Sequence, residues 1–182
     1  MTEIALARLA GGMEPPAAGV MEEMRQALED VFAARVRVAE VRVRVPEASL
    51  DGARGQYSAP LVLKALLEGT AGMGEKVLGV TSEDLFIPML SFVYGQAQLG
   101  GRGGVVSLAR LKQEYYGLPG DGELLAARAR KEAVHEAGHL FGLVHCEQPE
   151  CAMRLSTNIR QLDLKGDALC LGCAALAMEH GR

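Results

Sequence analysis

Tryptophan is absent from this 182-residue chain, and phenylalanine and tyrosine number only four each. Aliphatic side chains, alanine and methionine must therefore fill the core. No stretch reaches the roughly 20 apolar residues that span a bilayer as a helix. No basic start followed by an apolar run marks the N-terminus for export. A helical membrane protein is excluded on these grounds, and a soluble, cytoplasmic protein is expected. Positive charge is not in surplus: 19 Lys and Arg stand against 23 Asp and Glu, a formal net charge of -4. General attraction to nucleic acid or to an anionic membrane is thereby excluded. Arg35, Arg37, Arg42 and Arg44 do line one alternating stretch, but no aromatic interleaves with them, and a solvated strand face is the reading there. Cysteine and histidine are scarce too, at four each, and nearly all of them crowd into the last quarter of the chain.

Apolar residues at 49% and charged residues at 23% are ordinary globular proportions and exclude a disordered chain. The length suits one domain. Glu3 to Leu9 reads as a strand stopped at Gly11-Gly12, and Pro15-Pro16 as the opening of a helix. Val20, Met24, Ala27, Leu28 and Val31 form that helix's buried stripe. Arg35 to Val45 alternates as a strand does, with a slip of parity at Ala39-Glu40 that predicts a bulge or a kink. Ser49 to Tyr57 reads as a polar loop. Ser58-Ala59-Pro60 starts a second helix, Gly69 to Gly74 is a loop, and Lys76 to Thr81 is a strand buried on both faces. Strand alternating with helix predicts an α/β fold with parallel strands. Phe92 to Gln98 and Val105 to Ala109, joined through Gly100 to Gly104, then read as an antiparallel hairpin. A phosphate cradle is excluded there, because no Gly-Lys-Ser/Thr follows and no helix opens.

After the break at Gly117 to Gly122, with Asp121 as N-cap, a helix from Glu123 to about Leu140 carries the chemistry. His135 and His139 lie one turn apart on one face, where two imidazoles can hold a single metal ion. Glu136 stands roughly 100 degrees round the helix, beside the metal and in reach of a water on it. Gly142 is a helix stop that swings His145 back as a third ligand. Three imidazoles and an open position describe a catalytic zinc. Glu132, one turn before Glu136 and near His135, has two readings, an acceptor that orients that imidazole or a solvated carboxylate, of which solvation is preferred. His180 reads as part of a frayed tail. Cys146, Cys151, Cys170 and Cys173 form two spaced pairs. In a reducing compartment they read as a closed, structural four-cysteine zinc site; two disulfides or free buried thiols are the alternatives.

The run from His135 to His145 resembles the metzincin zinc peptidases. With Cys146, Cys151, Met153 and the closing Cys170-Leu171-Gly172-Cys173, it is similar to the archaemetzincins. The resemblance implies a metzincin-like twisted mixed sheet of about five strands, in the α+β mixed class, with a backing helix and an active-site helix. It implies one domain over 1–182, with residues 1–145 holding the sheet and active-site helix and 146–182 a small zinc-bound C-terminal lobe. It implies two zinc ions, one catalytic on His135, His139 and His145 and one structural on the four cysteines, and Met153 as the Met-turn beneath the metal. Glu136 would be the general base of peptide hydrolysis. An edge strand of Phe92, Val93, Tyr94, Gly95 and Gln96 would pair with peptide substrate. A monomer acting on peptide or protein, without nucleic acid or membrane, is expected. Two rivals stay open: a zinc-binding module without turnover, its fourth position filled or covered, and redox regulation through the cysteines.

Overall fold

The computed structural model describes residues 2–73 and 76–180, with only the backbone of Glu40, Val41 and Arg42. In chain order, β1 (Glu3–Ala10), α1 (Ala18–Phe32) and β2 (Arg35–Arg44) precede two short strands, β3 (Leu50–Asp51) and β4 (Gln56–Ser58). Then come α2 (Ala59–Gly69), β5 (Lys76–Thr81), β6 (Leu85–Phe86), β7 (Gly95–Ala97) and β8 (Gly103–Ser107). Three helices close the chain: α3 (Gly122–Leu140), α4 (Ile159–Leu164) and α5 (Leu171–His180).

The main sheet has the order β2-β1-β5-β8-β7. Its first four strands are parallel, and β7 runs antiparallel to β8. Period-two alternation divides the apolar residues between the two faces. Ile4, Leu6, Val36, Leu78, Val80 and Val106 join Met21, Met24 and Leu28 of α1 and Ala129, Ala133 and Ala137 of α3 in one core. Ala5, Ala7, Leu9, Val43, Val77 and Val105 meet Val62, Leu63 and Leu66 of α2 in the other. Aliphatic packing dominates both, and the aromatic pair Phe32 and Phe141 stacks at 4.6 Å between ring centroids. Cys173 and Ala177 of α5 belong to the first core, so the C-terminal segment is packed onto the rest.

Several expectations are corrected. Helix α1 opens at Ala18, with an extended Ala17 as N-cap, so the prolines precede the helix and do not open it. The parity slip is a bulge: Ala7 pairs with Ala39 but Leu9 with Val43, so β2 spends four residues where β1 spends two. Arg35, Arg37 and Arg44 are exposed, while the side chains of Val41 and Arg42, and Gly74, lie outside the described residues. Ser49 to Tyr57 is not only loop, since β3, β4 and β6 form a second, three-stranded sheet. The hairpin is present, but β8 starts at Gly103 and Ala109 opens a 3-10 turn. The edge strand is shorter than expected. Phe92 and Tyr94 pack edge to face at 5.1 Å and the Arg110 guanidinium lies 4.2 Å above Phe92, so Phe92 is turned into packing. The register with β8 runs over Gly95–Ala97, flanked by Tyr94 O accepting from Ser107 N at 2.8 Å and Gln98 N donating to Gly103 O at 3.0 Å. Val93 makes a single bridge to Leu85.

Candidate active site

Asp121 caps α3, its carboxylate accepting from Leu124 N at 2.9 Å. At the other end Gly142, at φ 81°, takes the left-handed conformation that favours glycine. The N–H of Gly142 donates to His139 O at 2.9 Å and that of Leu143 to Gly138 O at 3.0 Å, closing the helix and reversing the chain. This turn brings His145 back to the helix face. One ring nitrogen from each of His135, His139 and His145 lies within 4.8 Å of the others.

The other ring nitrogens of His135 and His139 are already engaged. His135 Nδ1 lies 2.8 Å from Ala152 O, and His139 Nδ1 lies 2.8 Å from Leu143 O. A carbonyl can only accept, so each Nδ1 carries the hydrogen and each Nε2 lone pair is left for a metal. Burial pushes the His135 imidazolium down to about 4 and lowers those of His139 and His145 as well. All three are neutral at pH 7, as metal ligands must be. Glu136 is buried, its Oε2 has no hydrogen-bond partner, and burial followed by the nearby Glu132 raises its carboxyl well above the ordinary range. Three neutral imidazoles can hold a metal ion, and the partnerless Glu136 Oε2 beside them can accept a proton.

The edge strand runs alongside this helix. A methyl on Gly95 would stand 2.6 Å from Glu136 Cγ and Oε1, and Gly100 N donates to His139 O at 2.8 Å. Between strand and helix opens a cleft of about 650 Å³, lined by the three histidines, Glu136 and Gln96, with Leu99, Val144 and Leu155 at its apolar rim. Beneath the helix Met153 is fully buried. A methyl on Gly138 would overlap its Sδ, so a glycine here lets the helix pack closely on Met153. Cys146 N donates to Met153 O at 3.0 Å, tying this floor to the residue after His145.

The four cysteines converge as well, each offering a sulfur within 4.8 Å of the others. They are free thiols, with Cys146 and Cys170 sulfurs 3.8 Å apart. Hydrogen bonding, first from the Cys173 backbone, lowers the Cys170 thiol to about 7, whereas burial raises Cys151 and Cys173.

Comparison with known proteins decides the family. The model of peptidase family M54 matches residues 17–179. The chain belongs to peptidase family M54. An archaemetzincin of Methanocaldococcus jannaschii is 37% identical over 168 residues, covering 91% of this chain and 92% of that protein. The crystal structure of archaemetzincin from Methanopyrus kandleri superposes with a TM-score of 0.87 at 36% identity, covering 98% of this chain and 94% of that one. A zinc-dependent peptidase from Methanocorpusculum labreanum superposes at 0.83 with 30% identity, covering 96% and 99%. The M54 chain is thus a zinc metallopeptidase of mixed α/β fold, as its histidine motif implied.

Two expectations at the M54 site are corrected. Glu132 is not solvated: it is 3% exposed and meets Lys165 Nζ at 2.9 Å. Its places one turn before Glu136 and near His135 were its signals, and no spacing rule pointed to Lys165. His180 is not frayed. It ends α5, and its Nδ1 lies 2.9 Å from Phe141 O, against the Gly142 turn. Tyr115 and Tyr116 stay away from the histidines: Tyr116 Oη donates to Arg110 O at 2.9 Å and Tyr115 stacks on the Arg110 guanidinium. Among the described residues no helix is long and apolar enough to cross a membrane.

Proposed function

We propose that this chain hydrolyses peptide bonds with His135, His139 and His145 as ligands of one zinc and Glu136 as general base. The observation that carries the reading is the convergence of three ring nitrogens within 4.8 Å beside the partnerless Glu136 Oε2, all facing one cleft. When bound, zinc supplies Lewis acidity at the scissile carbonyl and lowers the pKa of the attacking water. Glu136 takes that water's proton and returns it to the leaving amine. The backbone of Gly95 to Ala97 holds an extended substrate by strand addition, with Phe92, Val93 and Tyr94 shaping the start of the edge. Gly95 lets the substrate strand and Glu136 approach without a side chain between them.

The same reading gives the cysteines a second, structural zinc. A closed set of four thiolates leaves no position for substrate, and its folding free energy would secure residues 146–182 as a small subdomain on the 1–145 body. Met153 lies between the two sites as the Met-turn. Chelation followed by zinc restoration, read against a broad peptide library, tests the proposal. Cleavage lost on chelation and regained with zinc supports it. Library peptides left intact by fully loaded protein would favour a zinc-binding protein without turnover.

A further inference from the structure

The cleft contains an ion pair that the hydrolytic steps do not use. Lys165, just beyond α4, sends its ammonium under α3, where its side chain is 1% exposed and that of Glu132 4%. Around Lys165 Nζ stand Glu132 Oε1 at 2.9 Å, Arg154 O at 3.4 Å and His135 Nδ1 at 3.5 Å. Replacing a buried ion pair by apolar groups of similar volume is often neutral or stabilising. A pair kept here, against an imidazole, calls for a role beyond stability.

We infer that Glu132 and Lys165 are positioning residues for His135, holding it in the tautomer that leaves Nε2 free for the metal; this rests on the reading of the three histidines as a zinc site. An ammonium only donates. If it donated to His135 Nδ1, the ring hydrogen would move to Nε2 and the ligand would be lost. Ala152 O, at 2.8 Å, accepts from Nδ1 and favours the correct tautomer. Glu132 draws the ammonium towards itself and neutralises it, its Oε1 standing 2.9 Å from Nζ against 3.5 Å for Nδ1. The two charges act on a bound dication with opposite signs: Lys165 alone repels it, and Glu132 alone attracts it.

Cobalt(II) titration of the full chain, its cysteine site first filled with zinc, reads the histidine site. Glu132→Gln should weaken cobalt affinity by about 10–100-fold, the scale of lost outer-shell partners. Lys165→Met should bind as tightly as wild type or more so, although it melts lower, because the uncompensated carboxylate favours the metal. The double variant E132Q/K165M should return to within about threefold of wild type. In the metal-free protein, side-chain nitrogen resonances should place the His135 hydrogen on Nδ1 in wild type and shift it towards Nε2 in Glu132→Gln. A merely structural pair predicts instead that both single variants lose affinity in step with their loss of melting temperature, and that result overturns the inference. Should Glu132→Gln fail to fold, Lys165→Met decides alone, since weaker cobalt binding contradicts the sign. Wild type that binds no cobalt beyond the thiolates would overturn the histidine-site reading itself, and the inference with it.

Discussion

Gly138→Ala sets two effects of known size against each other. In a helix interior alanine is favoured over glycine by about 1 kcal/mol, so an unencumbered site would gain. Here the added methyl would overlap Met153 Sδ and stand 3.1 Å from its Cε. Met153 is fully buried and its carbonyl is held by Cys146 N at 3.0 Å, so the thioether has little room to yield. Overpacking of that kind costs about 1–3 kcal/mol. We expect a net loss of up to about 2 kcal/mol after the propensity gain, which for a domain of this size lowers the melting temperature by up to roughly 8 °C. Displacing Met153 also moves Ala152 O, the partner of His135 Nδ1, so zinc affinity at the histidines should fall with it. Thermal melts of wild type, Gly138→Ala, Met153→Ala and the double variant at equal zinc loading form the assay. Met153→Ala alone should cost about 2–5 kcal/mol, and the added methyl should be tolerated in its presence, a coupling of about 1–3 kcal/mol. A Gly138→Ala protein more stable than wild type, with additive effects in the double variant, would refute the packing argument.

Gly95→Ala should leave the fold intact while displacing Glu136, whose Cγ and Oε1 would lie 2.6 Å from the new methyl; kcat should fall on the order of 100-fold, and a kcat near wild type in steady-state cleavage assays would contradict the closeness of strand and base. Cys170→Ser should release the cysteine-bound zinc and, because Cys146 adjoins His145, weaken the histidine site too, which metal analysis after gel filtration would show as fewer than two ions per chain. Stability of the metal-free protein should depend on pH through the histidines. Burial depresses His135 from 6.5 to about 4 and lowers His139 and His145 in the same direction. As pH falls below about 6.5 the unfolded chain takes up protons that the folded chain refuses, so this stability is complete above that pH and lost towards 4. His135 alone accounts for on the order of 3 kcal/mol. Glu136 has the opposite sign, its raised pKa giving stability at low pH that is lost as pH rises, so denaturant unfolding is best measured in Glu136→Gln. Flat stability between pH 7 and 5 in that background would refute the depressed histidines.

Local rules made much of this chain legible. Lys76–Thr81 showed itself as a buried strand because both its faces are apolar, and Asp121, Gly142 and the histidine spacing follow from capping, left-handed turns and helical period. The bulge in β2 was visible as a slip of parity. What escaped notice depends on partners distant in sequence. Leu50, Tyr57 and Leu85 lie in pieces too short for a period, and only their mutual pairing makes a sheet. Glu132 resembles any helix-surface carboxylate until Lys165, 33 residues later, reaches it under the helix. His180 sits where chains fray, but the carbonyl of Phe141 is waiting for it. Phe92 and Tyr94 alternate as strand residues do, yet packing against Tyr94 and Arg110 takes Phe92 out of the ladder, while Tyr94 O still accepts from Ser107 N.

The most direct test combines metal content with peptide cleavage, comparing the chain as it stands with Glu136→Ala. The account predicts two zinc ions per chain in both proteins, with cleavage in the first and none in the second. Equal cleavage by both proteins, or two zincs and no cleavage by either, would contradict it.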